Sequence, residues 1–159
     1  MKQLTIDEFL NKAPALTVRR ACDKLKNQKA LALAHAIEEK IGKNSRARMI
    51  SNPDSKTYSF ELTLPLEHPF LIPGLRHLAY NLYVDVNSEQ KSAVVSSIYH
   101  GRHCSELLSK LNGLLNKLLE ELDKDGFFNT RSFFDLVNFI IDLEDGRFIL
   151  VDSEGTVLI

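Results

Sequence analysis

His100, His103 and Cys104 fall within one short stretch of a chain that holds only five histidines and two cysteines in 159 residues. Imidazole and thiolate are the ligands zinc prefers, and a zinc site takes about three or four of them. The spacing favours a metal only at this stretch, which makes His100, His103 and Cys104 the candidate metal ligands. His68 and His77 lie earlier, and His35 sits among alanines and joins no cluster. The same residues also read as a thiol site. Cys104 falls at the start of a predicted helix, where the helix dipole, Arg102 and His103 would favour a thiolate. Cys104 is then the candidate nucleophile and His103 the candidate base. The competing reading is a core thiol, because Cys104 shares the apolar stripe of Leu107 and Leu108 and a free cysteine packs as a small hydrophobe. No Walker loop, GxGxxG, HExxH or Ser/His/Asp pattern occurs, and no cofactor is implied. Asp142, Glu144, Asp145 and Asp152 are acidic neighbours without the ligand order of a calcium loop, and solvated turns explain them.

Phosphate binding is the second chemistry to weigh. Arg19, Arg20, Lys24, Lys26 and Lys29 are followed by Lys40, Lys43, Arg46 and Arg48. On a helix Arg20 and Lys24 share a face, whereas Arg19 and Lys26 point elsewhere. The charge is spread around the helix, and no aromatic residue is interleaved to stack on bases. Arg19, Arg20, Lys24 and Lys26 are the candidate nucleic-acid contacts, and a solvated helix face is the alternative. Charge also runs along the chain. Residues 1–48 carry eleven Lys/Arg against five Asp/Glu, and residues 104–159 carry five against eleven. Front and back could neutralise one another within one fold, or serve different partners.

Such groups are only as useful as the elements that hold them. With 44% hydrophobic and 26% charged residues, the composition predicts one globular α+β domain over 1–159 rather than a disordered chain. No apolar run approaches the ~20 residues that span a bilayer. The opening MKQLTIDEFLNK lacks the apolar centre of a signal peptide, and the cysteines form no disulfide framework. A cytoplasmic protein with no membrane partner is expected.

Thr5-Ile6-Asp7-Glu8 is a capping box, with Leu4 and Phe9 as its hydrophobic staple. It predicts a helix over Ile6 to Lys12, ended by Pro14. A second helix is expected after Thr17 as N-cap, running to Ile41 before Gly42, with a stripe of Val18, Cys22, Leu25, Ala32, Ala36 and Ile41. Alternation predicts strands over Arg46–Ser51 and Thr57–Leu64 about a turn at Asn52-Pro53-Asp54-Ser55. Two more are expected over Leu75–Val86 and Lys91–Tyr99 about Asn87–Gln90. Short connections make this an antiparallel four-stranded meander. From Cys104 to Leu122 leucines recur at helical spacing. That helix covers the sheet or pairs with its copy in a homodimer. A short helix capped at Asn129 or Thr130 and reaching about Asn138 should follow, then hairpin strands around Asp145-Gly146 and Ser153-Glu154-Gly155. Residues 139–143 read as helix or strand.

One stretch points past folding. In Tyr58–Gly74, YSFELTLPLEHPFLIPG, a strand runs into an apolar loop fenced by Pro65, Pro69 and Pro73. Pro65 prevents the sheet from continuing. Leu66, His68, Phe70, Leu71 and Ile72 are the candidate partner-binding residues, because exposed apolar loops mark interfaces. The alternative is that Phe70 and Ile72 plug the sheet. The order of helix, meander, proline-bracketed loop and long helix resembles the ubiquitin-conjugating-enzyme and RWD superfamily. SFELTLPLEHPFLIPG is similar to its strand and YPxxxP-type loop, with His68 in place of the tyrosine and Pro69 and Pro73 at the right spacing. Catalytic members place an HPN motif before their cysteine. Here His100 is followed by Gly101-Arg102, so the resemblance implies a non-catalytic docking domain. The function expected is therefore binding a protein partner as an adaptor, inhibitor or regulatory subunit. A nucleic-acid-associated protein and a Cys104 thiol enzyme stand as alternatives.

Overall fold

The computed structural model describes residues 1–50 and 56–159. The elements run β1 (Lys2–Leu4), α1 (Ile6–Lys12), α2 (Ala15–Ile41), β2 (Arg46–Met49), β3 (Thr57–Thr63), β4 (Leu82–Asn87), β5 (Ser92–Ser97), α3 (Arg102–Lys124), β6 (Phe139–Asp142) and β7 (Phe148–Val151). Short 3-10 turns occupy Arg76–Ala79 and Thr130–Phe134. The fold is α+β. The chain forms two compact units, one of Met1–Lys29 with Asn129–Ile159 and one of Ala30–Phe128.

The Ala30–Phe128 unit is a four-stranded antiparallel meander in the order β2-β3-β4-β5. Period-2 alternation decides its faces. Tyr58, Phe60 and Leu62 on β3 and Leu82, Val84 and Val86 on β4 point to one side and are buried. Phe60 sits opposite Val84, and Val84 opposite Val95. A register slip of one residue would turn this whole set to solvent. The other side carries the Arg48–Glu61 ion pair at 2.6 Å and the Ser59–Asp85 hydrogen bond at 2.7 Å.

Helices cover the apolar side. From α2, Leu33, Ile37 and Ile41 recur every four residues and enter the core. From α3, Leu107, Leu111, Leu115, Leu118 and Leu119 do the same. Each buried leucine contributes about 1.5–3 kcal/mol. The stripe therefore outweighs exposed Gly113, which costs about 1 kcal/mol relative to alanine. The leucine face of α3 is used on the sheet.

Asn112 and Asn116 of α3 do something different. The Asn112 side chain accepts from Val95 N–H at 2.8 Å. Asn116 accepts from Ala93 N–H and donates to the Ala93 carbonyl, both at 2.9 Å. They satisfy backbone groups on the outer edge of β5, which would otherwise template another strand.

The other unit holds a three-stranded antiparallel sheet in the order β1-β6-β7. Its core gathers Leu4, Phe9, Ala21, Leu25, Phe134, Ile140 and Leu150. The Phe9 ring meets Phe134 and Phe148 edge-on, with centroids 5.9 and 5.1 Å apart. Thr5 caps α1 by accepting from Glu8 N–H at 3.2 Å. The Thr5 hydroxyl also donates to the Glu8 carboxylate at 3.2 Å, a side-chain bond that ties the two box residues together.

Several expectations are corrected. Helix α2 starts at Ala15 rather than after Thr17, with the Pro14 carbonyl accepting from Val18 N–H. Its buried apolar positions are Ala21, Leu25, Ala30, Leu33, Ala34, Ile37 and Ile41, whereas Ala32 is exposed. The strand expected over Leu75–Val86 starts only at Leu82. Asn81 takes a left-handed φ of 58°, which breaks the extended run, and Tyr80 is exposed. The short helix expected from Asn129 or Thr130 to about Asn138 is a 3-10 turn ending at Phe134, and Phe139–Asp142 is strand. Strand β1 had no counterpart in the pattern. It pairs with β6, Lys2 opposite Asp142 and Leu4 opposite Ile140. Strand β2 ends at Met49, and the turn at Asn52–Ser55 lies outside the described residues.

Candidate functional site

The loop after β3 is shaped by what its backbone can no longer pair with. Leu64 N–H still bonds the Ala79 carbonyl at 3.1 Å. Pro65 then offers no donor. The chain folds into successive tight turns, with bonds from His68 N–H to the Pro65 carbonyl, Leu71 N–H to His68 and Leu75 N–H to Ile72, each at 2.9–3.0 Å.

His68 anchors these turns from beneath. It is only 6% exposed. Phe70 N–H donates to its Nδ1 at 3.0 Å, so that nitrogen carries no proton. Nε2 is then the N–H donor, and it meets the Ile41 carbonyl at 2.9 Å. One ring thus ties the loop to the C-terminal end of α2 and satisfies a helix carbonyl left without an intrahelical partner. Gly42, at a φ of 131°, turns the chain away there. The imidazole also packs edge-on against Phe70, centroids 4.9 Å apart. Leu71 is buried beside it.

What remains outside is apolar. Leu66 and Ile72 are each 40% exposed, and Phe70 is half-buried. Lys110 Nζ lies 5.8 Å from the Phe70 ring centroid, within cation–π range. Beside the loop opens a cleft of about 540 Å³, floored by Ile41, Pro65, Pro69, Phe70 and Leu114 and edged by Lys43. Of the five loop residues expected to meet a partner, Leu66, Phe70 and Ile72 are accessible. His68 and Leu71 hold the loop up from inside.

The thiol and metal candidates are placed differently. Cys104 is buried, and its Sγ donates toward the Tyr99 carbonyl at 3.4 Å. His103 is adjacent on the helix, where neighbours diverge by about 100°. It turns outward, 3.9 Å from Glu106. His103 is therefore not aimed at the thiol. Cys22 is half-buried, and burial, then Asp23, pushes its thiol up. Among the described residues no three His, Cys, Asp or Glu side chains converge as a metal site, so His100, His103 and Cys104 do not form one.

On α2, Arg19, Arg20 and Lys24 are exposed, but Lys26 is 9% exposed and drops out of any presented basic face. Lys29 is buried too, 3.9 Å from Asp135. Burial pushes its ammonium down, against the pull of Asp135. A second cleft, of about 330 Å³, lies between Asp135–Asn138 and Asp152–Glu154. Asp152 already accepts from Glu154 and Thr156 N–H groups there.

Two structural features escaped the sequence reading. Asn112 and Asn116 look like polar spacers on a leucine helix, and only the register against β5 shows that they close an edge. The cleft joins α2, the loop and Leu114, residues too far apart in sequence for any motif to connect. Among the described residues no helix is long and apolar enough to cross a membrane. No family model, curated protein or solved structure matches the chain. Its function must therefore be read from the geometry of this loop and cleft.

Proposed function

We propose that this chain is a non-catalytic protein-interaction module that docks a protein partner through the loop 65–73. One observation carries the reading. Leu66, Phe70 and Ile72 stand on a loop that is fixed from inside by His68, beside an apolar cleft. A fixed loop loses little conformational freedom on binding, so its exposed apolar area converts more fully into affinity. A loop that only plugged the sheet would have its large side chains inside. Here two of them face solvent while Leu71 does the plugging. A non-catalytic RWD-like docking domain is the same reading in family terms, resting on residues 59–74.

The test is retention of a stoichiometric partner by the tagged chain. A Leu66→Ser/Ile72→Ser variant with an unchanged melting temperature should lose that partner. Undiminished retention would remove the loop from the interface. The nucleic-acid alternative makes a different demand: retained nucleic acid, with affinity falling steeply in salt and lost in Arg20→Ala/Lys24→Ala.

A further inference from the structure

The charge around the cleft says more about the partner than the loop does. On α3, Lys110 and Lys117 flank Leu114 at i−4 and i+3, so all three share one face. Lys43 enters from the end of α2. Among the described residues none of these three lysines has a carboxylate within ion-pair distance. Lys40 is already matched by Glu121 at 3.2 Å. Glu67 is the one acid on the cleft wall itself. The end of α2 would bring partial negative charge. However, the Ile41 carbonyl is engaged by His68 and the Gly42 carbonyl by Ser45 N–H at 3.1 Å. The cleft is thus an apolar floor with Lys43 on its wall, Lys110 close to the Phe70 ring, and Lys117 on the α3 face that carries Leu114.

We infer that its occupant is an acidic segment of a partner protein, with one large apolar side chain seated against Phe70 and Leu114 and carboxylates facing Lys110, Lys117 and Lys43. This rests on the docking function proposed above and narrows it to one class of ligand. The apolar anchor supplies contact in the desolvated centre, and the three lysines supply steering and selection against basic segments.

Selection of random peptides of roughly twelve residues on the immobilised full chain tests this, followed by anisotropy titration of the enriched peptides. The expected peptides carry net negative charge and one Leu, Phe or Met. Their affinity should fall by about tenfold or more in Lys43→Glu/Lys110→Glu, and fall steeply as salt rises. Leu114→Ser should weaken them too, with the melting temperature showing that the variant folds. Neutral or basic peptides that still depend on Phe70 and Leu114 would overturn the acidic-partner inference and leave the docking reading standing. Peptides indifferent to both the loop and the cleft variants would overturn the docking reading with it. No enrichment at all would overturn the inference, because an open cleft of this kind should select some ligand.

Discussion

His68→Ala should destabilise the Ala30–Phe128 unit by about 3 kcal/mol, with two hydrogen bonds at ~1 kcal/mol each and an edge-on ring contact at ~1 kcal/mol. The bonds are those from Nε2 to the Ile41 carbonyl and from Phe70 N–H to Nδ1. For the two hydrogen bonds the low end of the cost of an orphaned group applies, because the adjoining cleft lets water reach those groups. Two further variants separate the contributions. His68→Asn keeps an acceptor near Nδ1 and loses the donor. His68→Gln keeps a donor at the reach of Nε2 and loses the acceptor. Each should cost about 1–2 kcal/mol, between wild type and alanine. The assay is urea unfolding followed by tyrosine fluorescence. All four tyrosines, Tyr58, Tyr80, Tyr83 and Tyr99, lie in this unit, so the signal reports it alone. The midpoint should fall with the slope unchanged. A loss below about 0.5 kcal/mol in His68→Ala would mean the ring carries no anchoring role, since one net hydrogen bond exceeds that.

Asn116→Ala removes bonds to Ala93 N–H, the Ala93 carbonyl and the Asn112 carbonyl. It should cost about 2 kcal/mol and make the chain self-associate on size exclusion through the opened β5 edge. Asp142 is held below the usual carboxylate range by its bond to Lys12, then by Glu144 N–H, against the opposing effect of burial. Its stabilisation is present above the ordinary value of 3.8 and is lost as pH falls through the lowered one. Lys12→Met should flatten that acid slope in circular dichroism, and an unchanged slope would assign the acid loss elsewhere. Burial pushes the Tyr58 phenol up from 10.0 to about 12. Its contribution is complete below pH 10 and fades as pH rises through about 12, and Tyr58→Phe should lack that alkaline loss.

Where one residue decides a local structure, the sequence reports it well. Thr5 and Glu8 placed α1 to the residue, and alternation placed β3. Leucine spacing located α3 within a turn. Where two distant segments decide, the pattern misleads. Leu78, Tyr80 and Leu82 keep strand parity, yet Leu78 lies on a 3-10 turn whose Ala79 carbonyl takes Leu64 N–H. A residue of β3's own extension thus captures the start of the expected strand. β1 is only three residues long and exists because β6 offers it an edge. The site divides the same way. Prolines marked the loop, whereas the anchoring role of His68 depends on Ile41, twenty-seven positions earlier.

The two polar devices of the Ala30–Phe128 unit bear on how a partner could engage it. Strand addition needs a row of unsatisfied backbone groups at a sheet edge. At β5 the Ala93 N–H and carbonyl and the Val95 N–H are already taken by Asn116 and Asn112, so a peptide arriving there would have to displace side-chain bonds of the same kind it brings. The loop presents the opposite case. Its backbone is satisfied by its own turns and by His68, and what it offers is side chains: Leu66, Ile72 and the outer edge of Phe70. A partner docking here as proposed would gain by burying apolar side-chain surface and meeting the nearby lysines, not by pairing strands. That is why selectivity should follow the partner's side chains and their charge, and why substitutions at Leu114 or Lys110 should alter binding more than any change along β5.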